Sequence, residues 1–90
     1  MDSWTDSEIK GKILHKLTRH GKFEASHTAF ENLQKGFPSD MVGKVKEMIK
    51  ELQKEGLLYI KKTNYGDQTS INLEKKELIM NYIGSFINKK

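Results

Sequence analysis

Apolar residues recur at helical spacing in four stretches of this chain and follow a different rhythm in one. Ile9, Ile13, Leu14 and Leu17 fall on a single helical stripe. Just before them, Thr5 and Glu8 have the spacing of a capping box, and Trp4 and Ile9 occupy the two positions of a hydrophobic staple. A first helix is therefore predicted over residues 5–21, with Arg19 and His20 in its last turn and Gly21 as its C-terminal cap. Lys22-Phe23-Glu24 reads as a short connector, small enough to be a tiny strand. A second helix is predicted over residues 26–35, where Thr28 and Glu31 repeat the capping-box spacing and Ala29, Phe30 and Leu33 face inward. Gly36 stops it, and Phe37-Pro38 form a turn. A third helix is predicted over residues 39–55, capped by Ser39 or Asp40, with Val42, Val45, Met48, Ile49 and Leu52 as its buried stripe and Gly56 as its end.

The period then changes. Leu57-Leu58-Tyr59-Ile60-Lys61-Lys62-Thr63 reads as a strand, Asn64-Tyr65-Gly66-Asp67 as a turn, and Gln68 to Leu73 as the returning strand, giving one hairpin over residues 57–73. Asn72 can cap a last helix over residues 74–88, whose broad apolar band is Leu78, Ile79, Tyr82, Ile83, Phe86 and Ile87. Gly84 interrupts that band at a propensity cost of about 1 kcal/mol relative to alanine. The fold class that follows is α+β, mostly α: a three-helix core, a β-hairpin and an additional C-terminal helix, in one domain over residues 1–90.

Composition narrows the chemistry. Cysteine is absent, which removes a disulfide framework and thiolate metal sites and fits a reducing compartment. No apolar run approaches the roughly 18 residues a membrane span needs, and Met1-Asp2-Ser3-Trp4 contains no apolar signal region. A cytoplasmic protein without a membrane segment is expected. The formal net charge is +4, which suits a polyanionic partner and equally suits plain solubility. Its distribution is uneven. Residues 1–9 hold Asp2, Asp6 and Glu8 without a base, whereas residues 10–22 hold Lys10, Lys12, Lys16, Arg19 and Lys22 without an acid. Arg19 is the one arginine among the 16 basic residues, so contact by charge is favoured over bidentate reading of base edges.

The element order and four sequence features together resemble the winged helix-turn-helix superfamily over the segment Ile9 to Leu73. The features are Thr28 to Leu33, the break Lys35-Gly36-Phe37-Pro38, the amphipathic helix from Ser39 to Lys54, and the exit Glu51-Leu52-Gln53-Lys54-Glu55-Gly56-Leu57-Leu58 into a hairpin. His27-Thr28, Lys35-Gly36-Phe37-Pro38 and Thr63-Asn64-Tyr65-Gly66 are also similar to small archaeal proteins of this type. The resemblance implies a DNA-binding module, a small transcriptional regulator or chromatin-associated protein, that lays its third helix in the major groove of double-stranded DNA. Ser39, Asp40, Gly43, Lys44, Lys46 and Glu47 would approach base edges. The wing from Lys61 to Gln68 would lie along the backbone or the minor groove.

Read from the residues themselves, Lys44, Lys46 and Lys50 supply charge on the exposed face of the third helix, and Lys61 and Lys62 supply it at the hairpin. Asn64, Gln68 and their neighbours add hydrogen-bonding groups. Backbone N–H groups near Thr28 would face a phosphate from the start of the second helix. Tyr65, at the turn, can stack on a base or sugar, or pack on its own hairpin. Against this, Glu47 can pair with Lys50 and Glu51 with Lys54, which makes the third helix an ordinary solvated face. The band Leu78, Ile79, Tyr82, Ile83, Phe86 and Ile87 is a candidate homodimer or partner surface. Two alternatives stand beside DNA binding: a protein-interaction module within a larger assembly, and binding of structured RNA. His15, His20 and His27 lack the spacing of a helical metal site. The serines sit in no nucleophile motif and the glycines form no phosphate loop. No metal, no cofactor and no enzymatic activity are expected.

Overall fold

The structure is a computed structural model that describes residues 4–19, 28–29, 33–64 and 66–88. Its elements follow the order α1 (Asp6–Arg19), β1 (Thr28–Ala29), α2 (Val42–Lys54), β2 (Leu58–Thr63), β3 (Gly66–Ile71) and α3 (Lys76–Ile87), with 3₁₀ turns at Ser39–Met41 and Leu73–Lys75. This is an α+β architecture, mostly helical, with one antiparallel sheet in the order β1-β3-β2.

Helix α1 begins as its sequence dictates. The Thr5 N–H donates to Glu8 Oε1 at 2.8 Å and the Glu8 N–H donates to Thr5 Oγ1 at 3.1 Å, a reciprocal capping box. Trp4 is half-buried and packs on Phe37 and Phe86, with ring centroids 5.4 and 6.3 Å away. Ile9, Ile13, Leu14 and Leu17 are fully buried and meet α2 and α3. The crossing of α1 and α3 is close because Gly11 lies in it. A Cβ there would stand 2.0 Å from the Tyr82 carbonyl oxygen and 2.8 Å from Phe86 Cβ.

The helix expected over residues 26–35 is overturned where the structure describes it. Thr28 and Ala29 form β1, paired antiparallel with Thr69 and Gln68 of β3. Leu33 and Gln34 lie in a tight 3₁₀ turn that runs on through Lys35, and residues 26–27 and 30–32 lie outside the described residues. The local spacing of Thr28 and Glu31 fits a helix start, but β3 offers ladder hydrogen bonds along its open side, and a β-branched residue suits them.

Helix α2 is reached through the 3₁₀ turn, in which the Met41 N–H donates to the Pro38 carbonyl at 2.9 Å. Neither Ser39 nor Asp40 caps it, because the turn brings Met41, whose side chain has no capping oxygen, to the N-cap position. Its far end is a Schellman motif. Gly56 takes φ 79°, its N–H donates to the Gln53 carbonyl at 3.1 Å, and the Leu57 N–H donates to the Leu52 carbonyl at 3.0 Å. Leu52 and Leu57 are both fully buried. The Leu52-x-x-x-Gly56-Leu57 exit is thus a chain reversal sealed by its own apolar pair.

In the hairpin, Leu58 pairs with Ile71 and Thr63 with Gly66. The returning strand starts at Gly66, two residues earlier than expected, because Gly66 adopts φ 105° and completes the turn at once. Asn72 then closes the hairpin onto α2. Its N–H donates to the Leu57 carbonyl at 3.0 Å, its Nδ2 donates to the Gly56 carbonyl at 2.9 Å, and its Oδ1 accepts from the Glu74 N–H at 3.0 Å. One buried side chain therefore fixes the end of the hairpin and caps the turn that leads into α3.

Helix α3 divides its apolar band. Ile79 and Ile83 are in the core, Tyr82 and Phe86 are half-buried, and Leu78 and Ile87 remain 41% and 60% exposed.

Candidate functional site

The exposed face of α2 looks mixed in sequence and is sorted in space. Lys44 Nζ lies 3.1 Å from Asp6 Oδ1 of α1 and 3.3 Å from Glu47 Oε1. Lys10 Nζ, reaching from α1, lies 3.0 Å from Glu51 Oε1 and 2.8 Å from Glu55 Oε2. The carboxylates of α2 are thus held by Lys44 and by Lys10. The expected pairs Glu47–Lys50 and Glu51–Lys54 do not form, because Glu47 turns back to Lys44 and Glu51 finds a buried ammonium across the helix interface. What remains is Lys46, Lys50 and Lys54, each one helical turn from the next and all exposed. Among the described residues none of the three forms an ion pair.

The lysines of α1 fare differently, and the basic run read over residues 10–22 does not form a charged surface where it is described. Lys10 is only 7% exposed. Lys12 Nζ donates to the Gly36 carbonyl and stands 4.7 Å from the centroid of the Phe37 ring. Lys16 Nζ donates to the Lys35 carbonyl. These side chains clamp the 35–37 turn and the α2 carboxylates onto α1. Burial lowers the pKa of Lys12 below the ordinary lysine value.

The centre of this packing is a network that residue spacing alone did not reveal. Tyr82 Oη donates to Glu55 Oε1 at 2.6 Å, and Lys10 lies 5.3 Å from the Tyr82 ring centroid. Burial opposes the charge on Lys10, yet the hydrogen bonds to Glu55 and Glu51 outweigh it and hold its pKa well above the usual lysine value. Burial likewise opposes the charge on Glu55, and Lys10 and Tyr82 overcome it, so its carboxyl titrates below the ordinary value of 4.5. The hydrogen bond to Glu55, then burial, push the Tyr82 phenol up. Three helices meet here at a polar knot inside an apolar boundary. A lysine in the apolar register of α1, next to a glycine pressed on α3, is the sequence signal that it is buried.

The hairpin presents Lys61, Lys62 and Asn64 in the open, while Gln68 is half-buried opposite Lys61. Along β2 the residues alternate. Leu58 and Ile60 face the core, and Tyr59, 45% exposed, shares the outer face with Lys61. Tyr65 lies outside the described residues. Ser39 and Asp40 are exposed in the 3₁₀ turn at the start of α2, adjoining Gly43 and Lys44. Thr28 belongs to a strand, so the expected phosphate site at a helix start does not exist there. His15 packs beside the Phe86 ring at 5.6 Å.

Of the apolar residues read as a partner surface, Ile79 and Ile83 are 2% and 3% exposed and belong to the chain's own core. They are covered by α1 because Gly11 lets the two helices approach.

Comparisons with protein-family models, with curated proteins and with solved structures find no match to this chain. Among the described residues no helix is long and apolar enough to cross a membrane.

Proposed function

We propose that the chain is a winged helix-turn-helix module that binds nucleic acid, double-stranded DNA in the first place, through the outer face of α2 and the β2–β3 wing. It is a binding module and not an enzyme. The observation that carries this reading is the sorting of charge on α2: its carboxylates are engaged by Lys10 and Lys44, leaving Lys46, Lys50 and Lys54 as a stripe without ion pairs among the described residues. A second pair, Lys61 and Lys62, stands exposed on the wing. The element order, α1, a short strand, a tight turn, the amphipathic α2 and a hairpin whose second strand also pairs with β1, supports the same assignment. Lysine ammonium groups are strongly hydrated point charges that suit phosphate contact more than base readout. The expected mode is therefore binding with little sequence preference and a steep salt dependence.

The test is a titration of the isotopically labelled protein with a random-sequence duplex, followed by NMR at low and then moderate salt. Shifts confined to Lys46, Lys50, Lys54 and residues 61–68 that fade as salt rises are the expected result. Replacing Lys46, Lys50 and Lys54 together by glutamine should flatten the slope of log affinity against log salt by about 0.9 for each phosphate that is no longer neutralised. A duplex that produces no shifts at low salt, or a triple variant that binds as the parent does, refutes the reading. Stronger shifts with a structured RNA than with the duplex would reassign the partner to RNA.

A further inference from the structure

Between the start of α1 and the turn that leads into α2 lies a cleft of about 620 Å³, within the range of about 300–1,000 Å³ of small-molecule sites. Trp4, Ile9, Pro38 and Met41 give it apolar walls, and the exposed Asp40 and Lys44 also line it. The Trp4 wall is held in place, since its ring packs on both Phe37 and Phe86. The charges here are not equally available. Lys44 Nζ is shared between Asp6 Oδ1 at 3.1 Å and Glu47 Oε1 at 3.3 Å. Lys12, the other cation near Trp4, directs its ammonium at the Gly36 carbonyl. Asp40 caps no helix and, among the described residues, forms no ion pair.

We propose that this cleft binds a small organic ammonium ion with an apolar body, of the aryl-alkylamine class. The body fills the space between Trp4, Pro38 and Met41, and the ammonium pairs with Asp40. The unpaired carboxylate decides the sign of the ligand. A carboxylate ligand would reach Lys44 only in competition with Asp6 and Glu47, and would lie close to Asp40. An ammonium gains a partner and displaces none. The apolar walls decide the body, because a bare ammonium ion would leave them in water. Asp40 is exposed, so the ion pair adds little to affinity. For a ligand of this size a dissociation constant on the order of 1 mM is expected. The site does not use Lys46, Lys50, Lys54 or the wing and is measured without nucleic acid, so it survives or fails separately from the binding reading.

The experiment uses Trp4, the only tryptophan in the chain, whose fluorescence reports on the cleft it lines. The full chain is titrated at neutral pH and constant ionic strength with phenethylamine, which carries an ammonium there. A saturable change in Trp4 emission is the expected result. Two further probes separate head from body: 3-phenylpropionate keeps the ring and reverses the charge, and ethylamine keeps the head and lacks the ring. Each should bind about fivefold more weakly or worse. Asp40→Asn leaves the fold intact, because the Asp40 side chain is exposed and caps nothing. It should raise the dissociation constant for phenethylamine about 1.5- to 5-fold and narrow its lead over 3-phenylpropionate. The absence of a saturable change with phenethylamine overturns the proposal. So does 3-phenylpropionate or ethylamine binding as tightly as phenethylamine, or a dissociation constant that Asp40→Asn leaves unchanged.

Discussion

Lys10 holds two carboxylates and a tyrosine ring at the junction of three helices, while Lys46 extends into solvent and, among the described residues, has no acid paired with it. Removing charge at the two positions should have opposite consequences. Lys46→Gln is expected to leave the melting temperature unchanged and to weaken nucleic-acid binding. Lys10→Met would strand Glu55 and Glu51 against apolar surface. Glu55→Ala should cost about 1–3 kcal/mol in chemical denaturation, below the range for fully buried pairs because Glu55 keeps 31% of its side chain exposed. The pH dependence has two edges. Glu55 titrates lower when folded than when unfolded, so its contribution is present above the ordinary 4.5 and is lost as pH falls below it. Lys10 titrates higher when folded, so its contribution is complete below the ordinary 10.5 and is lost only as pH rises through the folded value. Denaturation curves across the acid range should show a decline in the parent that is smaller in Glu55→Gln. The glycines make a matching contrast. Gly11→Ala should destabilise by about 1–3 kcal/mol or more, since backbone oxygen blocks the added methyl. Gly84→Ala should stabilise by up to about 1 kcal/mol, since among the described residues nothing outside its own helix stands within 4 Å of the added methyl. Thermal melts of the two variants check both signs.

Elements whose instructions are local were legible in the sequence. The capping box at Thr5 and Glu8 and the Leu52-to-Leu57 exit each lie within a few residues and form as their spacing requires, whereas Asn72, read as the cap of the last helix, caps the 3₁₀ turn Leu73–Lys75, and α3 starts only at Lys76 without a side-chain cap. Elements defined by a distant partner were not legible. β1 is two residues long and exists because Thr69 and Gln68 lie alongside it, so nothing in the local pattern could outweigh a helical reading of Thr28 to Leu33. One of the charge pairs failed for the same reason: spacing along one helix proposes Glu51 with Lys54, but the partner of Glu51 is contributed by α1. Glu47 does pair within α2, with Lys44 in place of Lys50. Periodicity located Lys46 and Lys50 on the outer face of α2 correctly. Their separation from the acids of α2 could be known only once α1 was docked. Asn72 offers a test at this scale. Asn72→Ala removes a cap and leaves the Gly56 carbonyl without its donor, at a combined cost of about 1–3 kcal/mol. Hydrogen exchange should show the effect concentrated at the start of α3 and the base of the hairpin.

Across the whole molecule, a net charge of +4 is spread over several elements. Of the α1 lysines, Lys10 is paired with carboxylates, and Lys12 and Lys16 bond to backbone carbonyls. Exposed lysines remain on α2 and the hairpin, and also at Lys35, Lys75 and Lys76. Asp6 limits the charge that α2 offers by holding Lys44. Asp6→Asn should therefore raise duplex affinity about 1.5- to 5-fold at low salt, and the gain should vanish as salt screens it. Anisotropy measurements at two ionic strengths distinguish this from a change in fold, which would persist at both.

The strand order β1-β3-β2 also sets a timetable. β3 is the last strand to leave the ribosome and the central one in the sheet. Until Ile71 has emerged, β1 and β2 have no shared neighbour, and each exposes a backbone that can bond to a stranger. The nascent chain up to Thr63 is expected to gain helix in α1 and α2 while its strands wait. The sheet should then close as the seam between them arrives, at a rate governed by closing the long loop from residue 29 to residue 68, and the core should be complete only when α3, with Ile79 and Ile83, has followed. Lys61 and Lys62, on the strand left at the rim, keep that waiting edge charged and discourage it from pairing with a neighbouring chain.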